Sequence, residues 1–208
     1  MKTIIWLLSL LVLVAAGTTA FIGSGAYNVA ADEPHWPFTE YAMEMVRERS
    51  IATRASGIAV PDLEDEATVR SGAGNYDAMC VGCHLRPGLE RTELSNGLLP
   101  SPPNLSGDRT VEPAATFWAI KHGIKMTGMP AWGKSMDDGS IWGMVAFLQR
   151  LPDMSEVRYR ELVESSEGHA HGSGDEAPDD HDAEPAAFED KSTTTHVHDD
   201  GSQHEHQN

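Results

Sequence analysis

Apolar residues are distributed along this 208-residue chain in three different patterns. An uncharged, strongly apolar run extends from Ile4 to Ile22, close to the ~20 residues that a helix needs to cross a bilayer. Between residues 62 and 152 the apolar positions recur at helical spacing, most clearly over residues 141–151. From Gly168 onward large apolar residues almost disappear. The pattern predicts an all-α fold with an apolar N-terminal helix, a helical domain and a disordered C-terminal tail.

The changes of pattern divide the chain into five segments. They are a membrane anchor or signal segment (1–31), a helical lead-in (32–61), the main helical domain (62–152), a short helix (153–167) and a disordered tail rich in His, Asp and Glu (168–208). The apolar run is longer than the core of about 7–15 residues in a signal peptide, and the nearest cleavage motif, Val29-Ala30-Ala31, lies well past Ile22. We therefore predict an uncleaved anchor, with removal of a signal peptide as the alternative. In either case we expect the rest of the chain to be exported.

The lead-in segment is expected to hold one helix. His35-Trp36-Pro37 follows the apolar run, and Trp36 is suited to anchoring at a membrane interface. Thr39 is expected to cap the helix, and Gly57 is expected to end it. Because Arg49 interrupts its apolar stripe, the pattern leaves open whether the helix packs on the main domain or lies near a bilayer.

Two helices of the main domain have clear boundaries. Pro113 is expected as the first residue of one helix and Gly123 as its end, the usual order of these two residues. Ser135 or Asp137 is expected to cap the last helix of the domain, which ends before Pro152. Its apolar positions follow the i, i+3, i+4, i+7 rule, at Ile141, Met144, Val145 and Leu148.

Charge follows the same division of the chain. The net charge is −17, and the tail holds eleven carboxylates against a single lysine. Because such a surface repels the phosphate backbone, nucleic acid is excluded as a partner.

The tail also holds seven of the ten histidines. Three pairs have a single residue between their members: His169 and His171, His196 and His198, and His204 and His206. In an extended chain such partners project on the same side. Imidazole together with carboxylate suits zinc, copper or nickel. The tail therefore predicts a transition-metal binder, and the alternative is a solvated polyanion that binds nothing specifically.

The strongest chemical signal is Cys80-Val81-Gly82-Cys83-His84. Two thiols three residues apart, followed at once by an imidazole, are typical of covalent haem c attachment. On a helix this spacing brings both sulfurs to one face, and His84 then follows as ligand of the iron. A zinc site needs four ligands, and the chain has no other cysteine. A thioredoxin-like dithiol needs a βαβ setting, and a structural disulfide does not require His84.

The residues before this motif carry a resemblance to a known family. Gly72, Tyr76 and Cys80 are spaced by four, so they share one face of a helix. With the haem motif, this arrangement resembles class I cytochrome c, which has a glycine and an aromatic residue at these offsets. The resemblance covers roughly residues 66–152. It implies an all-α cytochrome c-like domain whose first and last helices cross, around one covalently bound haem c.

A second segment of the family pattern surrounds a methionine. Gly128-Met129-Pro130-Ala131-Trp132 resembles the distal-ligand segment of the family, which makes Met129 the expected second axial ligand of the iron. Pro130 supports this role because the residue before a proline is pushed out of helical geometry. Met126 and His122 are the nearest competitors for the position.

A third segment concerns the orientation of His84. Pro103-Asn104-Leu105 resembles the family segment in which a proline carbonyl accepts a hydrogen bond from the proximal histidine. The resemblance implies that Pro103 orients the ring of His84 and makes it a better donor to iron. The alternative is that Pro102 and Pro103 only stiffen the loop.

The resemblance implies an electron carrier rather than an enzyme, because ligation by His84 and Met129 leaves no open position for a substrate. The expected partners are redox proteins at the membrane, and the expected location is the periplasmic side of a bacterial inner membrane, or the soluble periplasm if the signal is cleaved. Two other functions stay open. One is a small-molecule-binding haem sensor or enzyme, in which Met129 is not a ligand. The other is a haem-containing metal-handling protein that uses the tail.

Overall fold

The computed structural model describes residues 2–107, 112–168, 195–197 and 203–205, the last two ranges by their backbone. The chain has two compact units, Met1–Gly174 and Asp175–Asn208. Every regular element described in the first unit is a helix, which confirms the all-α prediction for the domain. The helices are α1 (Lys2–Ser24), α2 (Pro37–Ala55), α3 (Glu66–Met79), α4 (Val81–His84), α5 (Glu93–Asn96), α6 (Pro113–His122), α7 (Asp138–Leu148) and α8 (Glu156–Glu164), with a 3-10 turn at Trp132–Lys134.

The helix α1 is long and apolar enough to cross a membrane. At 1.5 Å per residue its 23 residues span roughly 34 Å, against roughly 30 Å for the hydrocarbon core of a bilayer. None of its residues is buried against the rest of the described chain. A retained anchor and a signal sequence both meet this description.

The helices α3 and α7 cross at a contact between two glycines. A Cβ atom added to Gly72 would lie only 1.9 Å from the carbonyl oxygen of Gly143. A Cβ added to Gly143 would lie 3.3 Å from the carbonyl oxygen of Thr68. The two backbones therefore touch directly at Gly72, and no larger residue fits there.

The core of the domain forms around this crossing. Tyr76 of α3 and Phe147 of α7 are fully buried, with ring centroids 5.3 Å apart. The helix α6 joins through Phe117, whose ring stacks on Trp142 at 4.1 Å between centroids. Fully buried aliphatic side chains fill the remaining space, namely Val69, Ile141, Met144, Val145 and Leu151. Burying these groups supplies most of the free energy that stabilises such a domain.

The helix α8 belongs to the same core. It lies within the segment 153–167, where the sequence predicts a short helix, and it packs on α3. Tyr159 is buried, its hydroxyl donates a hydrogen bond to Asp77 at 2.7 Å, and its ring meets Phe147 edge-on. The guanidinium of Arg86 lies over the ring of Tyr159, 5.8 Å from the ring centroid. The packed unit therefore continues past Pro152, where the sequence pattern places the domain boundary.

Helix boundaries agree with the predicted caps except at α2. Asp137 caps α7 by accepting a hydrogen bond from the backbone of Ser140 at 2.7 Å. Helix α6 begins at Pro113 and ends at Gly123, as predicted. The cap predicted at Thr39 is wrong, because α2 already begins at Pro37. A proline suits the first position of a helix, where its missing N–H has no partner to lose.

The second unit contains two short strands, β1 (Thr195–Val197) and β2 (Gln203–Glu205). They pair antiparallel, with His196 opposite His204. The sequence pattern predicts no strand in the tail, because a three-residue strand is too short to give a period-two signal. The other residues of the predicted disordered tail after Gly168 lie outside the described part of the chain.

Candidate functional site

The Cys-x-x-Cys-His motif forms a single helical turn. The backbone N–H groups of Cys83 and His84 both donate to the carbonyl of Cys80, at 3.1 and 2.8 Å. Cys80 is buried at the end of α3, and Cys83 is half-buried on α4. Both thiols are free, which rules out the disulfide alternative in this structure. Burial, with a smaller effect of Cys83, raises the pKa of the Cys80 thiol to about 12. As a free thiol, Cys80 is therefore neutral in the folded chain.

The imidazole of His84 is oriented by a hydrogen bond to the loop that follows α5. Its Nδ1 lies 3.0 Å from the carbonyl oxygen of Pro103. A carbonyl oxygen only accepts, so the ring proton is on Nδ1, and Nε2 keeps the lone pair that a metal ion requires. Burial lowers the pKa of His84, and the hydrogen bond to Pro103 opposes this only in part. The ring is thereby kept in its neutral, ligating form.

The backbone after His84 is held in an unusual conformation. Leu85 has a φ of 65° and a ψ of −179°, a region that is essentially restricted to glycine. Its carbonyl accepts a hydrogen bond of 2.7 Å from the buried hydroxyl of Tyr76. The N–H of Leu105 donates to the carbonyl of His84 at 3.0 Å. Tyr76 and the Pro103 segment therefore fix His84 from both sides, and this role of the Tyr76 hydroxyl is not visible in the sequence.

The helix α5 is a further part of the site that the sequence pattern does not predict. It lies within the loop after His84, and a capping box closes its N-terminus. The hydroxyl of Thr92 accepts from the backbone N–H of Ser95, and the hydroxyl of Ser95 accepts from the backbone N–H of Thr92. The hydroxyl of Thr92 also donates to the carbonyl of Gly82 in the middle of the motif. The signal for α5 is a threonine three residues before a serine, which is a weak form of the capping-box pattern.

Met129 lies on a loop that is tied to the end of α6. Its carbonyl accepts from the N–H of Ile124 at 3.2 Å, and its own N–H donates to the hydroxyl of Thr127 at 3.1 Å. The loop folds back against Gly123, the residue that follows α6. A Cβ on Gly123, which has a φ of 64°, would lie 2.7 Å from the backbone of Pro130. The side chain of Met129 is half-buried and packs against the core of the domain.

The two competitors of Met129 point elsewhere. Met126 stands at the tip of the same loop, with a φ of 59° and 76% of its surface exposed. The ring of His122 is exposed and leans on Trp118, with 4.9 Å between the centroids. Of the three sulfur and nitrogen donors in this region, only Met129 combines a core-facing position with a loop held by hydrogen bonds.

These donors fit covalently bound haem c. Two free thiols occupy one helical turn, the adjacent imidazole has its proton on the nitrogen away from the ligand position, and a thioether packs into the same domain. Zinc is a poorer fit, because the residues that the structure describes include no group of three or more His, Cys, Asp or Glu able to hold a metal ion.

The tail histidines are only partly within the described residues. The backbone register of β1 and β2 places His196 opposite His204. His169, His171, His198 and His206 lie outside the described part of the chain, so their predicted pairing stays a prediction.

One known family matches this chain. The family model described as "Cytochrome C oxidase, cbb3-type, subunit III" matches residues 67–148. The matched range runs from the second residue of α3 to the last residue of α7, and it includes the haem motif and Met129. No curated protein matches the chain, and no solved structure matches it either.

Proposed function

We propose that this chain is a membrane-anchored, haem-binding electron carrier with His84 and Met129 as axial ligands of the iron. The match of residues 67–148 to a cytochrome c family model supports a haem-binding electron carrier at the general level. Cys80 and Cys83 would hold one haem c through thioether bonds. The observation that carries the proposal is the hydrogen bond from Nδ1 of His84 to Pro103. It gives the ring the tautomer and the orientation that a proximal ligand needs.

The cofactor supplies the redox chemistry, one electron at a time between ferric and ferrous iron. His84 would contribute a neutral imidazole to the iron and Met129 a soft thioether, a pair of ligands that raises the reduction potential. Tyr76, which precedes the motif on α3, and Phe147 are both fully buried in an apolar core. A low dielectric of this kind also favours the less charged, reduced state of the iron.

The proposal makes the protein a carrier and not an enzyme. With His84 and Met129 both coordinated, no position is left for a substrate. The rival is a haem sensor or enzyme in which Met129 is not a ligand and a small molecule binds instead. A weak red absorption band of the oxidised protein supports the carrier. Ready binding of carbon monoxide to the reduced protein supports the rival.

We place the carrier on the outer face of the membrane that α1 would span. Support comes from the length and apolar character of α1. The partners are other redox proteins at the same membrane. The matched family is described as an oxidase subunit, so a terminal oxidase is the partner class to test first, ahead of a dehydrogenase.

The axial-ligand assignment is tested with a matched pair of variants. Met129→Ala opens the sixth position, so we expect loss of the red absorption band and a lower reduction potential. Met126→Ala is the control, since this methionine lies on the same loop and is exposed. An unchanged spectrum and potential in Met129→Ala, together with changes in Met126→Ala, would show that the assignment is wrong.

A second candidate function is metal handling by the tail. The observation that favours it is the antiparallel register that places His196 opposite His204. Opposite residues of an antiparallel pair are about 4.5–5.5 Å apart at their Cα atoms, and histidine is a common ligand of zinc, copper and nickel. This function would operate alongside electron transfer, with zinc, copper or nickel as the ion.

A further inference from the structure

We propose that α2 lies in the membrane–water interface and holds the haem domain against the bilayer. The contact is made by the lipid-facing surface of α2, defined as Phe38, Tyr41 and Met45. This inference rests on the anchoring part of the proposed function, since α1 brings the chain to the membrane.

The two sides of α2 have different surroundings. Phe38, Tyr41 and Met45 are spaced by three and four, so they share one face of the helix. Their side chains are 81%, 60% and 44% exposed. Met43, Arg47 and Ile51 are spaced by four on the opposite face, and all three are half-buried. The helix α2 lies beside α6, so one face is taken by the domain, and the aromatic face is left uncovered by the described residues.

An aromatic cluster ties the start of α2 to the end of α1. The ring of Trp36 meets Tyr27 edge-on at 5.1 Å between centroids and lies 6.0 Å from that of Phe21. The hydroxyl of Tyr27 and Nδ1 of His35 are 2.8 Å apart and form a hydrogen bond. The connection between the helices is thus folded back on the last turn of α1. If α1 spans the bilayer, this cluster is at the level of the headgroups, where Trp and Tyr are enriched.

This continuity identifies lipid as the occupant of the uncovered face. The lipid-facing surface begins at Phe38, two residues after Trp36. The start of α2 is therefore at the depth of the headgroups. Aromatic and thioether side chains in this position bury their apolar parts below the headgroups while their polar atoms stay hydrated. Arg49 continues the same face one turn after Met45, and its long side chain reaches the headgroup phosphates.

The net charge of α2 indicates whether its contact with the membrane requires anionic lipid. Glu40, Glu44 and Glu48 balance Arg47, Arg49 and Arg54, so the helix has no net charge. Anionic lipid therefore neither attracts nor repels it strongly, and burial of apolar surface is the driving force. We expect the contact to form on a neutral phosphatidylcholine membrane.

The test is photo-cross-linking of the full-length, haem-loaded protein in phosphatidylcholine vesicles. A photoreactive amino acid replaces Phe38 or Tyr41, and mass spectrometry identifies what each site captures. Val157 of α8 is the matched control, because it is 62% exposed, about as much as Tyr41, and belongs to a helix that packs on α3, whereas α2 packs on α6. A probe at Leu11, in the middle of α1, reports anchoring separately.

We expect lipid adducts at positions 38 and 41 in several-fold greater yield than at 157, together with lipid adducts at position 11. Adducts at 11 without adducts at 38 and 41 would overturn the inference and leave the anchor intact. Capture of a second copy of the protein at 38 and 41, in place of lipid, would overturn it as well. Absence of lipid adducts at 11 would remove the anchor itself and, with it, the inference.

Discussion

Replacing Gly72 with alanine tests whether the domain depends on direct backbone contact between α3 and α7. A Cβ on Gly72 would lie 1.9 Å from the carbonyl oxygen of Gly143 and 2.8 Å from the backbone nitrogen of Met144. Real Cβ atoms essentially never approach another heavy atom closer than 3.0 Å. Both obstructing atoms belong to the backbone, so a change of side-chain rotamer gives no relief. The helices must therefore separate by roughly 1 Å in a close-packed core.

Two opposing contributions determine the size of the effect. Alanine is favoured over glycine inside a helix by about 1 kcal/mol. Overpacking a core costs about 1–3 kcal/mol, and more where the backbone must move. A gap of roughly 0.5–1 Å also forfeits a quarter to a half of the dispersion attraction across the interface, which here involves the fully buried Met144 and Phe147. We expect the free energy of unfolding to fall by about 2 kcal/mol or more.

Gly143→Ala is the matched control for this experiment. It adds the same methyl group at the same crossing, but its Cβ would lie 3.3 Å from Thr68, so a shift of a few tenths of an ångström accommodates it. Thermal unfolding of the haem-loaded protein in detergent, followed by circular dichroism, measures both variants. We expect Tm to fall by roughly 8–16 °C for Gly72→Ala, and by much less for Gly143→Ala. Equal Tm values for the two variants would refute the steric argument.

Three further predictions concern the Tyr76 hydroxyl, the pair of Arg150 with Glu66, and the histidine-rich tail. Tyr76→Phe removes the hydroxyl that donates to the buried carbonyl of Leu85. A denaturant titration should show a free energy of unfolding lower by about 1–3 kcal/mol. An unchanged midpoint of the unfolding transition would contradict this prediction. A hydrogen bond from Arg150 holds the pKa of Glu66 below its ordinary value of 4.5, so the stability it confers is complete above pH 4.5 and is lost as the pH falls through the lowered pKa. Glu66→Gln should therefore flatten the acid side of the stability curve, and a superimposable curve would argue against this pair. Deleting residues 168–208 should abolish zinc and copper uptake in calorimetry while leaving the haem spectrum intact. Metal uptake by the full chain should weaken below about pH 6.5, where imidazole is protonated. Equal uptake by the full and the truncated chain would place the metal site elsewhere.

The helical scaffold and the proximal side of the site are predictable from the sequence, because each rests on a local signal. Pro113 and Gly123 bound α6, and a strong apolar period identifies α7. The haem motif needs only its own five residues. The hydrogen bond of His84 to Pro103 comes from a family resemblance, and the structure contains it.

The parts that sequence reasoning does not reach depend on contacts between distant segments. The position of α8 in the core rests on Tyr159, whose partners Asp77 and Phe147 belong to other helices. The strained conformation of Leu85 is maintained by Tyr76, which a sequence pattern identifies only as a core aromatic. Helix α5 has four residues, too few to show a helical period.

The crossing of α3 with α7 also determines when the domain can be completed during synthesis. The helix α3 comes early in the domain and α7 comes late, so the contact at Gly72 has no partner until Gly143 has emerged. The residues of the haem motif are made long before that moment. Cys80, which is buried in the finished domain, stays accessible throughout this interval. The order of the helices therefore leaves a period in which both thiols can be modified before the fold closes over Cys80.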